Sequence, residues 1–125
     1  MARDDYHVIV YQMLSYLYVQ LKKGKPVETE QISCDNRYFQ INEKYWRYIM
    51  KNLFYDGLIT GITVTERQYA GESEITLRIS DLENCEITPR GIEFLTDHSF
   101  MEKAKKFFRE SRDTIAPFVL ANINS

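Results

Sequence analysis

Residues 42–59, NEKYWRYIMKNLFYDGLI, constrain this chain most, because a helical hydrophobic period runs there into a turn and then into strand-like sequence. Trp46, Ile49, Met50 and Leu53 recur at spacings of three and four, which puts them on one face of a helix and holds that face against a core. Glu43, Lys44, Arg47, Tyr48 and Lys51 fall on the other side. Asn42 is placed as N-cap, its side-chain oxygen able to accept from the first free backbone N–H groups, and Gly57 can take the left-handed conformation that ends a helix. The spacing predicts a helix over residues 43–56, after which Leu58 and Ile59 re-enter the core at the start of a strand.

Upstream, Tyr6 to Lys23 reads as one long helix capped by Asp4 or Asp5, with Val10, Met13, Leu14, Leu17 and Leu21 as its main buried stripe. Val8, Tyr11 and Tyr18 make a second apolar strip, and a helix apolar on both sides is normally buried on both. Lys22, Lys23, Gly24 and Lys25 end it with the cations favoured at a helix C-terminus, and are read as a solvated end rather than a phosphate contact. Val27 to Ser33 predicts a second helix of at most two turns, with Thr29 as N-cap and Ile32 as anchor. CDNRYFQ then forms a turn or short extended stretch, a connection somewhat longer than the tight turn of the simplest helix-turn-helix.

Downstream, Leu58, Ile59, Ile62 and Val64 interleaved with Thr60, Thr63 and Thr65 predict a strand, and Ile75, Leu77 and Ile79 alternating with Thr76, Arg78 and Ser80 predict its partner. Two antiparallel strands with a polar tip, directly after a helix, form a wing. Arg67, Gln68 and Tyr69 lie on one limb of that tip, Glu72 and Glu74 on the other. Asp81 to Glu86 reads as an acidic linker, Thr88 as the N-cap of a further helix and Pro89 as its first residue, where the missing N–H costs nothing. Ser99 and Glu102 have the capping-box spacing that starts another helix, whose Phe100, Ala104, Phe107 and Phe108 form a stripe among lysines and arginines. Ile115, Phe118, Val119 and Leu120 follow around Pro117 and need burial. The expected fold is α+β: a winged helix-turn-helix over residues 1–98, with a helical extension, 99–125, packing on the first helix or on a partner subunit.

Function classes narrow by what is missing. A net charge of -2 gives no global pull toward nucleic acid, so DNA binding requires a local patch. Nine Tyr and seven Phe in 125 residues indicate either a core filled with large side chains or a surface that meets a partner. Cys34 and Cys85 fit no metal-ligand spacing and are expected to be free thiols in a reducing cytoplasm. The acidic start MARDDYH is unlike a signal peptide and no apolar run reaches the ~18 residues of a membrane span, so a cytosolic protein is expected. Two isolated histidines, with no HExxH, Gly-rich phosphate loop or nucleophile elbow, predict no enzyme, no metal and no cofactor.

The order of helix, short helix, helix ending in YDGLI, wing, then ITPRGIEFL is similar to winged-helix regulators such as MarR and PadR. MARDDYHVIVYQMLSYLY, DGLITGI and ITPRGIEFLTDHSFMEKAKKF more closely resemble the YjcQ family of small winged-helix proteins from Gram-positive bacteria and their prophages. That resemblance covers most of residues 1–109 and implies a fold and a DNA-binding role, with no functional residues to carry over. The helical face supplies those instead: Lys44, Arg47, Tyr48 and Lys51 toward double-stranded DNA, with Arg67 and Gln68 on the wing. The alternative is a protein-interaction or phage assembly module that binds no DNA, favoured by the acidic residues on and beside the wing. A homodimer through the first helix and the C-terminal helices is also expected, because Val8, Tyr11, Tyr18, Phe107, Phe118 and Leu120 exceed what one small core needs.

Overall fold

A computed structural model describes residues 2–110, and the expectations for Arg112, Ile115, Phe118, Val119 and Leu120 lie outside them. The chain is α+β. Helix α1, Tyr6–Lys23, is followed by a single 3-10 turn, Thr29–Ile32, and helix α2, Glu43–Tyr55. Strands β1, Ile59–Thr60, β2, Thr63–Arg67, β3, Thr76–Ser80, and β4, Glu86–Ile87, come next. Helices α3, Pro89–Asp97, and α4, Ser99–Glu110, complete the described chain.

Helix α1 is the central post. Every residue from Val8 to Leu17 is buried, together with Val19, so both apolar strips are covered over these turns. Helix α4 supplies part of that cover within the same chain, with the Tyr11 and Phe108 rings 5.2 Å apart and Met101 and Ala104 fully buried. Val8 and Tyr11 therefore reach full burial without a second copy, while Tyr18 and Phe107 stay half-buried. Leu21, expected in the stripe, is 47% exposed in the last turn of the helix. Asp5 occupies the N-cap position without capping, its carboxylate instead accepting from the Ala2 N–H at 2.9 Å.

The expected second helix is only the 3-10 turn, and Thr29 lies inside it rather than capping it. Its anchor holds: Ile32 is buried, and its carbonyl accepts from Trp46 Nε1 at 2.8 Å, which fixes the roll of α2. The connection that follows is built on Asn36, whose Oδ1 accepts from the Tyr38 and Phe39 N–H groups at 2.8 and 3.1 Å. That side-chain turn folds both aromatic rings into the core, where their isolated position in a polar stretch gave no periodic signal.

Helix α2 begins and ends as its residues dictate. Asn42 Oδ1 accepts from the Tyr45 N–H at 2.9 Å. At the other end Gly57, at φ +75°, donates to the Phe54 carbonyl at 3.0 Å and Leu58 donates to the Leu53 carbonyl at 2.9 Å, the paired bonds of a Schellman stop. Leu53 and Leu58 are both buried beneath it. Thr88 then ties this turn to α3. Its hydroxyl donates to the Gly57 carbonyl and accepts from the Gly91 N–H, and its own N–H donates to the Leu58 carbonyl at 3.1 Å.

The strand expected over Leu58 to Val64 is two strands. Gly61 breaks it at φ +93°, where a Cβ would fall 1.8 Å from the Asn84 carbonyl oxygen. On one side of the break β1 pairs antiparallel with β4, Ile59 opposite Ile87, so part of the expected acidic linker is a strand. On the other side β2 and β3 form a separate antiparallel hairpin with Val64 opposite Ile79 and Glu66 opposite Leu77. Ile75 lies before β3 and is 59% exposed, not in the apolar row expected of it. Helix α4 is capped by His98 rather than Ser99: the His98 carbonyl accepts from the Met101 and Glu102 N–H groups, and its Nδ1 from the Phe100 N–H at 3.2 Å.

Candidate nucleic-acid interface

Because Trp46, Ile49, Met50 and Leu53 lock one face of α2 inward, the opposite face of the helix is fixed in direction. Lys44 and Tyr48 are exposed on it, Tyr48 at 54%, whereas Arg47 and Lys51, expected to be exposed, are half-buried. The cause is the hairpin. It meets α2 through β3, and between the two runs a groove of about 860 Å³. Lys44, Arg47, Tyr48 and Lys51 form the helix wall, and Glu66, Glu72, Glu74, Ile75 and Leu77 are among the residues opposite. A second hollow of about 480 Å³ shares Arg47, Thr76 and Leu77 and extends the channel toward Trp46, Arg78 and Ile79.

All four expected helix residues therefore converge on one groove. The two expected wing residues do not. Arg67 ends β2 and Gln68 begins the tip; both are exposed, neither lines the groove, and Gln68 Nε2 donates to the Glu72 carbonyl at 3.1 Å. Three carboxylates take the place across from the helix, and their order in the sequence did not reveal which limb faces α2.

Arg47 is partly engaged already, its Nη2 lying 2.7 Å from Glu43 Oε2. That pair is an i,i+4 contact whose side chains are 40% and 67% exposed, and such pairs stabilise by only about 0.3–0.5 kcal/mol. A phosphate or carboxylate can thus replace Glu43 at little cost. Tyr48 is steadied from the side by Tyr6, their rings 6.2 Å apart and steeply inclined. Tyr55, two turns further on, points its hydroxyl at Glu66 Oε1, 3.4 Å away.

The groups with strongly perturbed ionisation lie elsewhere. Burial, with a smaller contribution from Glu86, pushes the Cys85 thiol up to about 12, and burial pushes the Tyr11 hydroxyl up to about 12. Both belong to the core, and neither reaches the groove. Among the described residues no three His, Cys, Asp or Glu side chains converge as metal ligands, and no helix is long and apolar enough to cross a membrane.

No curated protein and no solved structure matches the chain. The family model described as YjcQ protein matches residues 11–114, starting inside the N-terminal motif that carried the resemblance and running slightly beyond residue 109 at the other end. With most of its length inside that match, the chain belongs to the YjcQ protein family.

Proposed function

We propose that the chain is a winged-helix DNA-binding protein, a transcriptional regulator of bacterial or prophage origin, with α2 as the helix that enters the major groove. In this reading α1, the 3-10 turn and α2 form the helix-turn-helix, and the β2–β3 hairpin is the wing. The observation that carries it is the row Lys44, Arg47 and Lys51, with exposed Tyr48 beside it, on a helix whose roll is fixed by its buried face. The acidic hairpin then stands off the phosphates, and the helix makes the contacts. A homodimer through α1 and the C-terminal helices belongs to the same proposal, since paired modules suit two-fold operators. Sedimentation as a monomer at about 50 μM would remove the dimer.

Titrating the protein with labelled duplex at two salt concentrations tests the reading, because neutralising phosphates makes affinity fall steeply with salt. Arg47→Ala should relax sequence preference at a cost of about 1–3 kcal/mol, while Lys51→Ala should weaken all sequences alike and reduce the salt slope by about one. A duplex affinity that neither substitution alters moves the nucleic-acid surface elsewhere, with the lysine-rich face of α4 next in line.

The second reading, a protein-interaction or assembly module, has its own observation: Glu66, Glu72 and Glu74 face the three cations across the groove. No duplex binding at low salt would make it the preferred one.

A further inference from the structure

The groove beside α2 brings both signs of charge to one open space. Lys44, Arg47 and Lys51 line its helix wall, and Glu66, Glu72 and Glu74 line its hairpin wall. Glu66 comes from β2, Glu72 from the tip and Glu74 from the segment before β3, so both limbs of the hairpin contribute. Two contacts set that wall against the helix. Strand β3 meets α2 directly, and the Tyr55 hydroxyl donates to Glu66 Oε1 at 3.4 Å. Among the described residues no salt bridge spans the groove; Arg47 meets Glu43 of its own helix instead.

A DNA phosphate drawn into this space by the three cations enters the field of three fixed carboxylates. Like charges brought together lower affinity, most of all at low salt, where the Debye length is about 30 Å at 0.01 M against about 10 Å at 0.1 M. Phosphate contacts supply essentially all sequence-independent binding, so a wall of this sign acts on attachment to any duplex.

We infer that the hairpin is a built-in restraint on α2: Glu66, Glu72 and Glu74 oppose each phosphate that Lys44, Arg47 and Lys51 attract, and the chain thereby holds down its own affinity for duplex DNA. The restraint operates only if α2 meets DNA as proposed above, and the carboxylates that favour an assembly module then become a regulatory part of the DNA-binding site. Whatever neutralises the hairpin wall raises duplex affinity.

Titrating the full chain with labelled duplex at about 0.05 and 0.2 M salt tests this on two triple variants of equal charge. Glu66→Gln with Glu72→Gln and Glu74→Gln removes the charge of the wall and leaves Tyr55 an acceptor. Glu83→Gln with Glu86→Gln and Glu93→Gln removes as much charge from exposed positions outside the groove. The first variant should bind about fivefold more tightly than the second at low salt, and the advantage should shrink at the higher concentration. With Lys44→Gln and Lys51→Gln added to both, little draws phosphate into the groove, and the advantage should fall below about twofold. Should the first variant melt at a lower temperature, Glu72→Gln with Glu74→Gln on the exposed tip, against Glu83→Gln with Glu93→Gln, makes the same comparison. Equal affinity of the two variants overturns the restraint and leaves the DNA reading standing. An advantage undiminished without the lysines also overturns it, since the carboxylates then act on the duplex independently of the cations they face. If neither the parent chain nor the first variant binds duplex at low salt, the restraint and the DNA reading fall together.

Discussion

The end of α2 and the β2–β3 hairpin are joined by a few residues and built on opposite terms. Around Gly57, Gly61 and Thr88 nearly every group is committed: a Schellman stop, a hydroxyl bonded in both directions, and a glycine pressed onto the Asn84 carbonyl. The hairpin commits little. From Glu66 to Thr76 every residue is exposed, and Gly71 at its tip has nothing within 4 Å of where a Cβ would stand. Fold stability is thus concentrated at the base, and the proposed ligand chemistry at the tip. Substitutions in the two regions should have effects of different kinds.

The strongest attempt to break that contrast is Gly61→Ala. The added methyl combines a left-handed backbone with a carbonyl oxygen far inside contact distance, and a loss of about 4 kcal/mol or more is expected, enough to unfold a domain of ordinary stability. Denaturant unfolding that leaves the midpoint in place would show that the base can shift. Leu53→Ala, beneath the Schellman stop at Gly57, should cost about 2–5 kcal/mol as a buried large-to-small change. A loss below about half a kcal/mol would be incompatible with its burial.

Glu72→Lys with Glu74→Lys should sharpen the contrast from the other side. The melting temperature should move by no more than the effect of about 0.5 kcal/mol, while ligand preference changes. A large loss of stability would mean that the tip supports the fold after all.

The smallest effect concerns acid. Burial, then the neighbouring His98, lowers the pKa of His7, which stacks on Phe100 at 4.3 Å near the start of α4. A depressed folded-state value means that the neutral form is favoured on folding. Its contribution is therefore present above the ordinary imidazole value of 6.5 and lost as pH falls through the lower, folded value. Thermal scans between neutral and mildly acidic pH should show a modest decline in melting temperature that His7→Gln makes shallower. Parallel declines in the two proteins would assign the acid sensitivity elsewhere.

What was legible in the sequence follows the same division. The limits of α2 and the starts of α1 and α3 depend on residues adjacent in the chain, such as Asn42, Gly57 and Pro89, so local chemistry revealed them. The break at Gly61 depends on Asn84, more than twenty positions away, and β4 is too short to show a period; both were read through as continuous strand and linker. The helix side of the groove was visible because burial of Trp46 and Leu53 dictates where Lys44 and Lys51 point. The opposing wall was not, since which limb of a hairpin faces a helix is decided by tertiary packing. Residues chosen for their place on one limb of the wing tip, Arg67 and Gln68, accordingly fell outside it.

The Thr88–Leu58 hydrogen bond carries one more consequence. The chain runs out past Leu58 and comes back at Thr88 within a single hydrogen bond of it, so residues 59–87 form one loop with fixed ends. The entropy of closing such a loop grows only slowly with its length, by roughly 0.6 kcal/mol per doubling. Relatives can therefore lengthen, shorten or recharge the hairpin tip while the helices beneath keep their register. Within one scaffold, any ligand taken at the proposed groove is free to diverge faster than the structure that presents it.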